Sequence, residues 1–116
     1  MLALVNRSRA EAGEAPVEPD AELDAKADEW AQTLRTACAL QHSDLDDGVG
    51  LGWWKLGENV GNGRSIEQVH DAFMRSPSHR ATILDPSFEF AGTAAVRGPC
   101  QGHDKVFVVQ VFKLVK

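Results

Sequence analysis

Residues Val106 to Val115 constrain this chain more than any other stretch. The run Val-Phe-Val-Val-Gln-Val-Phe-Lys-Leu-Val is rich in β-branched and aromatic residues, which favours a strand. Successive side chains of a strand point to opposite faces, and here both sets are apolar. Such a strand must be covered on both sides. The chain therefore has to supply a sheet with this strand at its centre and a helical layer on each face. That is an α+β fold, a three-layer α–β–α sandwich with a small, mainly antiparallel central sheet. With 43% hydrophobic residues among 116, the chain can fill such a core, and residues 1–116 read as one domain.

The remaining patterning supplies the layers. Residues 1–12 read as a helix with Leu2, Val5 and Ala12 inward. Glu14 to Asp20, with Pro16 and Pro19, reads as a linker. Asp20 is placed to cap the next helix, and Glu22 in its first turn suits the helix dipole. Leu23, Ala27, Trp30, Ala31, Leu34 and Cys38 recur at helical spacing, ending near Leu40. A loop at 43–52 leads into a strand at 53–60, and Gly61-Asn62-Gly63 predicts a turn. Ser65-Ile66-Glu67-Gln68 matches a capping box. The helix it opens buries Ile66, Val69, Phe73 and Met74 and is closed by Pro77. Ser78 is placed to cap a short helix from His79 to Leu84. A strand at 88–97, a loop at 98–104 and the apolar strand complete a three-stranded sheet.

Glu58 is the residue that points to chemistry. Alternation puts Trp54, Leu56, Glu58 and Val60 on one side of their strand, and a carboxylate on an apolar face is costly without donors, a cation or a metal. Histidines are natural partners. His42 lies just past the long helix. His79 lies in the first turn of the short one, where the dipole disfavours protonation and a neutral imidazole can ligate a metal or accept a proton. Two histidines and a glutamate, His42, Glu58 and His79, form a chemically sensible zinc set that leaves a fourth position for water. Each also has a plain structural reading, as a hydrogen-bonding link between loops or to backbone amides. Gln110, mid-strand on the face of Val108 and Phe112, needs partners if buried and is a candidate brace for the pocket. His70 and His103 read as solvent-facing and loop residues without a role. Trp30, Trp53 and Trp54 read as core and pocket wall, with Trp53 partly exposed as a contact surface.

Composition limits the alternatives. The net charge of −5 and the lack of clustered Lys and Arg argue against a nucleic-acid binder. The apolar start, Met1 to Val5, is too short for a signal-peptide core or a membrane span. A trimmed mature domain would look the same, so this says little about compartment. Cys38 and Cys100 allow one intramolecular pairing, which would close a loop of about 60 residues and stabilise by about 4 kcal/mol in the chain-entropy model. A disulfide would suggest an oxidising compartment. The alternative is two free thiols, one buried on a helix face.

The motifs, taken in order, resemble the superfamily of cysteine-rich secretory proteins, antigen 5 and pathogenesis-related-one proteins, in its bacterial branch. Asn6-Arg7-Ser8-Arg9 is similar to its Asn-x-x-Arg signature and Gln41-His42-Ser43 to its His-Ser after the second long helix. Gly57-Glu58-Asn59-Val60 is similar to its Gly-Glu-Asn-aliphatic strand. Ser76-Pro77-Ser78-His79-Arg80-Ala81-Thr82-Ile83-Leu84 resembles the bacterial Ser-Pro-x-His-Arg-x-x-Ile-Leu segment, and Val109-Gln110-Val111-Phe112 its closing strand. The resemblance implies the same sandwich, a secreted or cell-surface setting, and a cavity lined by His42, Glu58 and His79. Animal and plant members carry a second glutamate where Ser76 stands here, and have several disulfides for which Cys38 and Cys100 are a single local substitute. Members have been linked to sterol or lipid binding, divalent metals, proteolysis, and interaction with hosts or envelopes.

Three readings follow for this chain, which is expected to be a monomer. The first is a secreted module binding a divalent metal such as zinc, a small lipid-like ligand, or both. The second is a metal-dependent hydrolase with Glu58 as general base. The third is a structural or interaction domain whose partner is a cell-envelope or host protein.

Overall fold

The computed structural model describes residues 1–116. Helices α1 (Leu2–Glu11), α2 (Ala21–Ala37), α3 (Ile66–Arg75) and α4 (Pro77–Leu84) are interspersed with strands β1 (Glu18–Pro19), β2 (Trp53–Gly63), β3 (Phe90–Cys100) and β4 (His103–Val115). The sheet order is β1-β3-β4-β2. β4 runs antiparallel to both neighbours, and β1 lies parallel to β3. None of the helices is long and apolar enough to cross a membrane.

β4 is the central strand, and both its faces are filled. Val106, Val108 and Phe112 pack with Val5 of α1, Val69 and Phe73 of α3 and Ile83 of α4. Phe107, Val109 and Val111 pack with Leu23, Ala27, Ala31 and Leu34 of α2. Each such side chain contributes roughly 1.5–3 kcal/mol of burial, so the two faces of one strand hold both helical layers. The caps form at the expected residues: Asp20 accepts from Leu23 N and Ser65 from Gln68 N.

Several elements depart from expectation, each for a physical reason. The linker contains a fourth strand: Glu18 N donates to Glu89 O and Asp20 N to Ala91 O, while Pro19, which has no N–H, sits between them at the sheet edge. Gly61-Asn62-Gly63 continues β2 instead of turning. Its glycines answer to packing, since a Cβ at Gly61 would lie 2.7 Å from the Phe73 ring and one at Gly63 2.8 Å from Gln68. The expected loop at 98–104 shrinks to Gln101-Gly102, with φ of 54° and 78°, the two positive values a tight hairpin turn requires. His103 therefore opens β4, opposite Cys100. Phe88 precedes β3 and is buried against Phe112. α4 starts at Pro77, a favoured first helical residue, so Ser76 and not Ser78 occupies the cap position.

α1 buries Val5 and Arg9, whereas Ala12 is exposed. Arg9 is an interior cation that apolar periodicity could not reveal. Its Nε donates to Ala15 O (2.7 Å), and its Nη1 donates to Ile83 O and Asp85 O (2.8 Å each). Asn6, three residues earlier on the same helix face, pairs both its amide oxygen and nitrogen with the backbone of Val17. The Asn-x-x-Arg motif is thus a clamp that holds the α1–β1 segment and the end of α4 together. His70 is likewise interior, 4% exposed, with Nε2 at 2.8 Å from Ser8 Oγ across the α1–α3 contact.

Cys38 and Cys100 form a disulfide with Cα atoms 5.3 Å apart. Cys38 is the C-cap of α2, in the left-handed conformation (φ 51°) that commonly ends a helix. The bond ties the end of α2 to the β3–β4 turn.

Candidate functional site

Glu58 sits where β2 faces α2. The register opposes it to Val111, and Leu56 and Val60 on the same side pack into the α2 core. Trp54 does not share this face. The ladder shifts register between Trp53 and Lys55, which leaves Trp54 67% exposed and turns Trp53 toward the core. A bulge of this kind reverses the side-chain alternation, so the two tryptophans exchange their expected roles.

The Glu58 side chain is 1% exposed. Its Oε1 accepts from His42 Nδ1 (2.9 Å) and from Ser43 N (2.8 Å), and its Oε2 accepts from Ser43 Oγ. Three donors offset the desolvation of the carboxylate. The segment that delivers them is built by α2. Past the Cys38 cap, Trp30 Nε1 donates to Gln41 O (2.9 Å), and the buried Lys26 directs its Nζ to Asp44 O and Asp47 O (2.7 Å each). Lys26 therefore organises the loop that follows His42, a role its charge conceals in the sequence.

The His42 ring is 63% exposed. With Nδ1 donating to Glu58, its Nε2 keeps a lone pair and has no protein partner. His79 is prepared in the same way from the other side of the sheet. Its Nδ1 lies 2.7 Å from Ser76 Oγ, and its ring stacks on Phe73 at 4.9 Å. Its backbone carbonyl accepts from Asn59 Nδ2 at 3.1 Å. Burial lowers the His79 pKa, and the nearby charge of His42 acts in the same direction. Burial therefore favours the neutral imidazole.

Glu58 and Asn59 are adjacent on an edge strand and point to opposite faces. Each attaches one histidine, Glu58 through the side chain of His42 and Asn59 through the main chain of His79. Gln110, fully buried opposite Asn59, accepts from Asn59 Nδ2 (3.1 Å), while its own Nε2 has no protein partner. Gln110 therefore braces Asn59 and reaches His79 only through it. Sequence reasoning weighs Ser43 only as a weakly supported nucleophile and gives Asn59 no role, although both stand beside the residues it singles out.

The three candidate ligands do not converge as one set. No group of three or more His, Cys, Asp or Glu side chains stands close enough to hold a metal ion. Glu58, with both carboxylate oxygens accepting hydrogen bonds, orients His42. A polar cleft of about 700 Å³ opens beside His42, walled by Glu22, Glu29, Trp30, Asp44 and Asp47. Glu58 and His79 do not line it.

Comparison with known proteins agrees with this fold. The family model described as "Cysteine-rich secretory protein family" matches residues 2–112. The Bacillus subtilis protein YkwD is 28% identical over 105 residues, covering 83% of this chain and 41% of that protein, so the chain spans about two fifths of that relative's length. Among solved structures, an outer surface protein from Borrelia burgdorferi superposes with a TM-score of 0.80 at 20% identity, covering 99% of this chain and 90% of that one. Venom allergen-like protein 4 from Schistosoma mansoni gives 0.75 at 13% identity, covering 99% and 86%. At these identities the structural likenesses are likenesses of fold.

Proposed function

This chain belongs to the cysteine-rich secretory protein family, and from that premise we propose that it is an extracellular or surface binding domain that holds a divalent transition metal through His42 and His79. The observation that carries this reading is the matched preparation of the two imidazoles. Each has Nδ1 held by a neighbouring oxygen, Glu58 in one case and Ser76 in the other, and each keeps Nε2 free of protein partners. A carboxylate behind a histidine fixes its tautomer and raises its basicity as a ligand, and the Ser76 hydroxyl leaves His79 Nε2 free in the same way when it accepts from Nδ1–H. Zinc, when bound, would take two nitrogen donors here and complete its shell with water or a ligand from a partner. Glu58 acts behind His42 and is not itself a ligand in this reading. The disulfide supports an oxidising compartment.

The geometry favours binding over hydrolysis. Glu58 already accepts three hydrogen bonds, and the Ser43 hydroxyl is directed at that carboxylate and not at a histidine base. The cleft beside His42 has only Ala25 and Trp30 as hydrophobic walls, which suits a polar ligand better than a lipid.

Calorimetric titration with zinc at pH 7 tests the reading. Wild type should bind close to one equivalent, with binding lost in His42→Ala and in His79→Ala. Glu58→Gln should weaken it by about 10–100-fold. No heat in wild type, or unchanged affinity in both alanine variants, would overturn the assignment.

A further inference from the structure

We propose that the Cys38–Cys100 disulfide is a redox gate on the docking of His42. The inference rests on His42 belonging to the binding site, and extends that reading to regulation.

Cys38 ends α2 and lies four residues before His42. Between them, Ala39, Leu40 and Gln41 are all exposed and bury nothing that would hold the segment. Its anchors are few. Ala39 N donates to Leu34 O (3.3 Å), Trp30 donates to Gln41 O, and the Glu58 contacts and the Lys26 bonds to Asp44 O and Asp47 O lie at its far end. The covalent anchor is the disulfide, which joins it to the β3–β4 turn 62 residues away in sequence. Cys38 is also a non-glycine residue in the left-handed conformation, at φ 51°. Without the bond, α2 can end differently, and the direction in which the chain leaves toward His42 is no longer set.

The two halves of the bond differ in access. Cys100 is 5% exposed, whereas Cys38 is only partly buried. A dithiol reductant would attack the Cys38 sulfur, forming a mixed disulfide and releasing Cys100 as a thiolate that takes up a proton. The reductant's second thiol then displaces Cys38. In net terms the protein gains two hydrogens and becomes a dithiol, while the reductant becomes a disulfide. The rest of the fold should persist. Both faces of β4 are packed mainly by residues other than the cysteines, although Cys100 belongs to the α2 cluster and Cys38 packs against it.

The test is amide hydrogen exchange on the full chain, oxidised, reduced with dithiothreitol, and as the Cys38→Ser/Cys100→Ser double variant. The reporters are Ser43 N–H, which donates to Glu58, and the amides of Val108 and Val109 in the central strand. The gate predicts that Ser43 loses protection by about tenfold or more in both forms that lack the disulfide, while the strand amides keep theirs. Retained Ser43 protection after reduction would overturn it. So would equal loss at Ser43 and the strand, which would make the bond a staple of the whole fold. Because docking and not metal is read, failure of zinc binding in the oxidised protein would sink the proposed ligand and leave this result standing.

Discussion

Glu58 shows how one side chain can be both a stabiliser and a source of order in the site. Glu58→Gln keeps its shape but removes the charge from three hydrogen bonds, so stability should fall by about 1–2 kcal/mol, read as a lower urea midpoint at unchanged slope. His70 carries a second residue-scale prediction. Burial lowers its pKa, with Arg7 and the amino terminus pushing the same way and Asp71 and Glu11 opposing. The unfolded imidazole, near pH 6.5, therefore takes up a proton before the native one, and the stability His70 supplies is present above that value and lost as pH falls below it. His79 shifts in the same direction and shares the effect. Melting temperatures between pH 7.5 and 5 should fall less steeply in His70→Gln, and identical slopes would assign the acid loss to other groups. Much of the site is legible in the sequence, because a carboxylate on an apolar strand announces itself. How the contacts divide is not. Glu58 takes one histidine and Asn59 the other, and that depends on side-chain direction at an edge strand. His70 reads as solvent-facing because Asp71 stands beside it, whereas the α1–α3 contact covers it.

At the scale of elements, the tightest approach at any glycine is that of α2 on β3 at Gly92. A Cβ on Gly92 would strike the backbone of Leu23 and Asp24, which cannot give way as a side-chain tip can. Gly92→Ala should cost about 3 kcal/mol or more by lifting α2 from the sheet. Gly102→Ala meets no atom within 4 Å and should cost only the roughly 1 kcal/mol of its positive φ. Denaturation of the two variants side by side separates overpacking from backbone strain. The helices and the central strand are readable from periodicity, since Leu23, Ala27, Ala31 and Leu34 repeat at one face and residues 106–112 fill two. The short elements are not. Glu18–Pro19 is too brief to carry a pattern, and glycines at 61 and 63 look like a turn until the helix pressing on them is known. The extension of β3 and β4 to a two-residue turn relies on Gln101 taking a conformation that its residue type does not advertise.

Taken whole, the molecule is held by an element that comes late in the chain. β4 touches both β2 and β3, and neither of those touches the other. A fragment of residues 1–102 should therefore show no cooperative thermal transition, and adding a peptide of residues 103–116 should restore one; a cooperative melt in the fragment alone would show that the α2–β3 pair is stable unaided. The order of synthesis then matters. A chain made amino end first carries four helical segments and three strands that cannot close this sheet until β4 emerges, so closure of the sheet should be a late event in synthesis.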